Sequence, residues 1–104
     1  MWTWARIYVY AEPINMHRSY DGLAALVSGE LGRDPRCGDA FVFFNRRGNQ
    51  VKVLYFDGSG YCVWSKRLLR GRFKLLARGV VVDGSVEVSE AELREVVEGG
   101  GRSQ

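Results

Sequence analysis

A chain of 104 residues, 46% hydrophobic and 26% charged, can bury one modest core and is too short for two. This composition reads as soluble and globular rather than that of a disordered chain, and no apolar run approaches the roughly 18–20 residues of a membrane span. The net charge of +3 hides an uneven distribution: residues 41–78 carry nine Lys/Arg against Asp57, at +8, while residues 1–40 stand at −1 and residues 80–104 at −4.

In chain order, Met1–Ala11 lacks the basic start, long apolar region and cleavage site of a signal peptide, so a cytoplasmic protein is expected. Arg6–Tyr10 is aromatic and β-branched, a strand that Glu12-Pro13 ends. Tyr20, Leu23, Ala24, Val27 and Leu31 recur at three- and four-residue steps and predict a helix with one apolar stripe. Asn15 or Ser19 can cap it, Asp21 suits its first turn, and Gly32 offers a left-handed stop. Phe41–Phe44 is apolar throughout, which predicts a strand buried on both faces.

Beyond the Asn45–Gln50 turn, Val51–Phe56 and Tyr61–Lys66 flank Asp57-Gly58-Ser59-Gly60, whose central Gly-Ser predicts a type II′ hairpin. That turn sets Phe56 opposite Tyr61, Leu54 opposite Val63 and Lys52 opposite Ser65, with Val53–Trp64 and Tyr55–Cys62 on the other face. Arg67–Arg72 is a basic connection, Phe73–Ala77 a candidate strand, and Val80–Val82 with Val86–Val88 a small hairpin around Asp83-Gly84. Ser89-Glu90-Ala91-Glu92 is a capping box opening a short helix whose apolar edge is Leu93, Val96 and Val97. The expected fold is α+β: a single domain over residues 1–98, a mostly antiparallel sheet with a helix after the first strand and a short C-terminal helix. Both helices are placed on one side of the sheet, and residues 99–104 are expected to form a disordered tail.

Catalytic constellations are scarce. His17 is the only histidine, and with Cys37 and Cys62 far apart it offers no zinc site. Both cysteines are expected to be reduced, with Cys62 buried. There is no G-x-S-x-G and no phosphate loop. Asp21, Asp34, Asp39 and Asp57 suit a metal only if the fold gathers them, and each also fits a turn or helix start. No cofactor, metal or enzymatic activity is expected.

Several ordered blocks resemble one family. They are Asp21-Gly22-Leu23-Ala24-Ala25-Leu26-Val27, Leu31-Gly32-Arg33-Asp34-Pro35, Gly38-Asp39 and Phe41-Val42-Phe43-Phe44-Asn45-Arg46-Arg47. Leu54-Tyr55, Asp57-Gly58, Gly60-Tyr61-Cys62, Trp64, Lys66-Arg67-Leu68 and Gly71-Arg72-Phe73 continue the likeness. Together they resemble the accessory protein, often labelled TnpB, from the second reading frame of the IS-sixty-six group of bacterial insertion sequences. The resemblance implies a role in transposition beside a separate transposase that cuts and joins DNA. Asn15-Met16-His17-Arg18 departs from the Asp-Met-Arg-Lys common in that family, and Lys74-Leu75-Leu76 replaces its usual Trp-Pro.

Two functional readings follow. In the first, the protein binds DNA: Arg46, Arg47, Lys66, Arg67, Arg70, Arg72 and Lys74 contact phosphates, with Lys52 and an exposed Tyr61 or Phe56 as weaker candidates. In the second, an adaptor docks on the transposase of the same element or self-associates as a homo-oligomer without touching DNA. No membrane partner is expected. Both readings turn on where the basic side chains converge.

Overall fold

The computed structural model describes residues 3–74 and 80–99. Five strands form one sheet in the order β4-β3-β2-β1-β5, with β1 at Ile7–Tyr10, β2 at Ala40–Phe44, β3 at Gln50–Phe56, β4 at Tyr61–Arg67 and β5 at Ser85–Val88. Helix α1 spans Tyr20–Gly29 and α2 spans Glu90–Gly99. The architecture is α+β and mostly antiparallel, as its sequence implies. One pair departs from the rest: β1 runs parallel to β2, with Ile7 across from Ala40 and Val9 across from Val42.

That parallel pair decides where the helices lie. Parallel neighbours need a crossover, so α1 must pass over one face of the sheet between β1 and β2. Its Leu23, Ala24 and Val27 pack with Tyr8, Phe41, Phe43 and Leu54. The opposite face carries Ile7, Val42, Phe44, Val51, Val53 and Val88, and α2 covers it with Leu93, Val96 and Val97. The helices therefore take opposite faces, not the one side expected. The physical reason lies in β2, all five residues of which are buried; a strand apolar on both faces needs cover on both.

Local signals hold in detail. Gly58 carries φ +101° at the first central position of the hairpin turn, and the β3–β4 register pairs Phe56 with Tyr61, Leu54 with Val63 and Lys52 with Ser65. Asp57 Oδ1 accepts from Ser59 N–H and Gly60 N–H, both at 3.0 Å, which fixes the turn. These bonds, then the Ser59 hydroxyl, hold the Asp57 carboxyl below its ordinary range. Ser89 N–H donates to Glu92 Oε1 at 2.8 Å and Glu92 N–H donates to Ser89 Oγ at 3.1 Å, a complete capping box. Helix α1 starts after Ser19, which makes no side-chain cap; Asn15 instead accepts from His17 N–H in a turn before the helix. The helix ends at Gly29 with Glu30 still right-handed, and Gly32, at φ +64°, takes the left-handed state two residues beyond that cap.

Other expectations change. Tyr20 lies on the exposed side of α1 at 49% exposure and adds nothing to the core. Phe73 and Lys74 carry no strand, and residues 75–77 of that candidate lie outside the described residues. The hairpin around Asp83-Gly84 shrinks to one bridge, Val82 with Ser85, because β5 spends its ladder on β1. Cys62 is half-buried and Cys37 exposed; both are free thiols. Desolvation is the first cause that raises each thiol above its usual value. The expected tail beyond Gly99 lies outside the described residues.

Candidate nucleic-acid interface

The β2–β3 turn carries Arg46 and Arg47. Asn45 braces it: Oδ1 accepts from Asn49 N–H and Gln50 N–H at 3.0 Å each, and Nδ2 donates to Asn49 Oδ1 at 2.7 Å. Gly48 takes φ +73°, a backbone state that suits glycine. A Cβ there would lie 3.8 Å from Arg72 Cβ and Cδ, so the Arg72 stem already rests across the turn.

The segment after β4 brings the remaining cations to the same end of the sheet. Leu68 N–H donates to Asn49 O and Phe73 N–H donates to Gly48 O, each at 2.8 Å. Between these two bonds the chain bows outward with Leu69 and Arg70 exposed. Phe73 anchors it, 4% exposed and edge-on to Phe44 with ring centroids 5.8 Å apart. Two turns far apart in sequence are thus bolted together, and Arg46, Arg47, Arg67, Arg70, Arg72 and Lys74 stand exposed around the joint. Among the described residues none of these six side chains makes an ion pair or hydrogen bond. Two of the α2 carboxylates are engaged within their own helix: Glu90 and Glu98 pair with Arg94, at 2.7 and 3.3 Å.

Lys66 and Lys52 are placed differently. Lys66 points to the α2 face, and its Nζ donates to Val97 O at 2.7 Å, satisfying a carbonyl at the negative end of that helix. Lys52 points to the α1 face, and its Nζ donates to Met16 O and Arg18 O, each at 2.8 Å. Phe56 and Tyr61 meet edge-on across the hairpin, centroids 5.4 Å apart, and both are half-buried. Of the seven strongest sequence candidates, then, six are exposed at or beside the joint and Lys66 ties down a helix.

Beside the joint lies a cavity of about 570 Å³. Val9, Phe44, Phe73, Val88, Leu93 and Val96 form its apolar walls, and Arg46, Arg47 and Arg72 sit among its lining residues. Sequence reasoning did not foresee it, because it needs the ends of β1 and β2 beside α2. Burial, then Glu30 and Glu12, pushes the Tyr10 hydroxyl at its margin upward, so it stays protonated.

Among the described residues no group of three or more His, Cys, Asp or Glu gathers. Asp34 accepts from Arg36 N–H, and Asp39 accepts from Arg6 N–H and from the Cys37 thiol. No helix among the described residues is long and apolar enough to cross a membrane.

Comparison with known proteins gives the context. Residues 5–103 match the family described as IS66 Orf2 like protein. The chain belongs to that family. It is an insertion-sequence family of transposition accessory proteins, in agreement with the motif blocks from Asp21 to Phe73. Two relatives come from Sinorhizobium fredii (strain NBRC 101917 / NGR234). One, the uncharacterized protein y4jC, is 38% identical over 94 residues, which cover 90% of this chain and 78% of that one. The other, uncharacterized protein y4hO, is 35% identical over 95 residues, covering 90% and 79%. No solved structure matches the chain. The Phe41–Arg47 block thus ends in the braced turn, and the Gly71-Arg72-Phe73 block supplies the segment bolted to it.

Proposed function

We propose that this IS66 Orf2 like protein serves transposition as a non-catalytic accessory that grips DNA phosphates with Arg46, Arg47, Arg67, Arg70, Arg72 and Lys74. The observation that carries this reading is the joint itself, where two 2.8 Å backbone bonds hold the basic segments together and their side chains make no ion pair among the described residues. Guanidinium groups presented this way suit phosphate oxygens, which they can meet with two parallel bonds. Their attraction carries no base preference, so the reading concerns affinity and positioning rather than a sequence motif. The test is anisotropy of a labelled duplex titrated with protein at low ionic strength. Saturable binding that weakens steeply with salt is expected; a protein that leaves the duplex free at low salt ends the reading.

One observation favours the adaptor as a second reading. The apolar cavity lies beside Val81, and Val80, Val81 and Val82 are 80%, 56% and 56% exposed. Apolar surface beside a basic rim suits a protein partner, the transposase of the same element being the natural one. Capture of purified transposase in nuclease-treated buffer supports docking independent of DNA. Capture only when DNA is added assigns the association to the nucleic acid.

A further inference from the structure

β4 is an outer strand of the sheet, and its hydrogen-bond phase can be worked out residue by residue. Asp57 N–H donates to Gly60 O at one end of the hairpin, and Leu68 N–H donates to Asn49 O at the other. Directly opposed residues of an antiparallel pair alternate between bonded and non-bonded. Cys62, Trp64 and Lys66 therefore exchange bonds with Tyr55, Val53 and Val51 of β3. Tyr61, Val63, Ser65 and Arg67 turn their N–H and C=O groups the other way, off the edge of the sheet.

Natural sheets protect such edges with proline, bulges, short strands or inward-pointing lysines. β4 has seven residues, no proline, no glycine and an unbroken register with β3. Its one lysine points inward, but the Lys66 ammonium is already held by the Val97 carbonyl, so a strand added at the edge would leave no ammonium without a partner. Self-pairing is also favourable in charge. Both cations of β4 lie at its C-terminal end and its tyrosine at the N-terminal end.

We propose that β4 pairs with β4 of a second copy, antiparallel about a two-fold axis through Trp64, joining two five-stranded sheets into one. In that register the outward groups of Tyr61 meet those of Arg67 of the partner subunit, and Val63 meets Ser65 of the partner subunit. Each residue offers one donor and one acceptor, so the ladder closes with all its outward groups satisfied. Arg67 lies against an aromatic ring instead of another cation, a favourable contact. The interface is isologous and stops at two copies. It spaces the two Arg67 side chains roughly 20 Å apart along the strands, at about 3.4 Å per residue. The inference does not rest on the DNA reading, since the β4 ladder is made by backbone groups and Arg67 is the one side chain that both readings use.

Sedimentation equilibrium of the full chain over a micromolar to sub-millimolar series tests it. The expected mass is twice 11.7 kDa at the upper end. Ser65→Pro should return the monomer mass with unchanged far-UV circular dichroism, because the Ser65 N–H serves no bond inside its own sheet. Amide exchange of the unaltered protein gives a second readout, should the proline variant fold poorly. Val63 and Ser65 amides must gain protection as concentration rises, with little change at Cys62. A monomer throughout the series, a Ser65→Pro variant that still dimerises, or growth into open oligomers through β5 each overturns the proposal.

Discussion

Replacing both turn arginines, Arg46→Gln with Arg47→Gln, probes the basic joint most directly. If the six converging cations each neutralise one phosphate, log K against log salt should fall with a slope of about −5 on duplex DNA. Between 50 and 200 mM salt the affinity then drops by roughly three decades. Losing two contacts should flatten the slope to about −3.6 and the drop to roughly two decades. The turn itself should survive, because Asn45 and not the arginines holds it, through bonds of 2.7–3.0 Å to Asn49 and Gln50. Lys66→Met is the internal control. Its ammonium binds Val97 O, so the salt slope should stay near −5 while stability falls by about 1 kcal/mol. That is a loss of roughly 4–8 °C in Tm for a domain of this size. The measurement is a set of anisotropy titrations at four or five salt concentrations for the three proteins. Equal slopes for the unaltered protein and the double variant would refute the reasoning, as would a Lys66→Met slope flattened as much as that of the arginine variants.

Three further outcomes can be checked by unfolding. Phe73→Ala removes a ring that is 4% exposed and packed edge-on to Phe44, so the urea midpoint should correspond to a loss of about 3–5 kcal/mol with the m-value kept. Ser89→Ala breaks one arm of the capping box and should cost about 1 kcal/mol by the same measurement. The Asp57 carboxyl is held below its ordinary range by the Ser59 and Gly60 amides, so its stabilising effect is present above the unfolded pKa and is lost as pH falls through the lower folded value. Thermal melts in acid should therefore fall more steeply for the unaltered protein than for Asp57→Asn, and matching pH profiles would remove Asp57 from the account.

Local structure was legible because its signals sit within a few residues of each other. Gly58-Ser59 set the hairpin turn, and with it the whole Val51–Lys66 register. Ser89 and Glu92 announced α2 by the two side chains that close its first turn. What escaped depends on pairing across the chain. The parallel β1–β2 ladder joins residues more than thirty apart, and nothing near Ile7 or Ala40 specifies its direction. Yet Phe41–Phe44 already contained the correction: a strand apolar on both faces is incompatible with both helices on one side. Phe73 misled for the opposite reason. Its apolar neighbours suggested a strand, whereas its N–H goes to Gly48 and its ring to Phe44.

The basic middle of the chain shows why counting charge and locating charge are different steps. Composition credits residues 41–78 with nine cations, of which Arg78 lies outside the described residues. Lys52 and Lys66 turn inward from neighbouring strands of the same hairpin, toward opposite faces of the sheet. Lys52 binds carbonyls 34 and 36 residues away at the approach to α1, and Lys66 binds one 31 residues away near the end of α2. Each fastens one helix to the sheet, so their charge stabilises the fold and leaves little for a ligand. Of the six exposed cations around the joint, Arg67 ends β4 and the other five stand in its connections, and arginine outnumbers lysine five to one among them. Arginine is the residue whose planar fork matches phosphate, and lysine is the one whose single ammonium suits a cluster of carbonyls. The division of labour follows side-chain chemistry, and it makes the joint between the β2–β3 turn and the segment after β4 the place where loss of a cation should change DNA affinity without loosening the core.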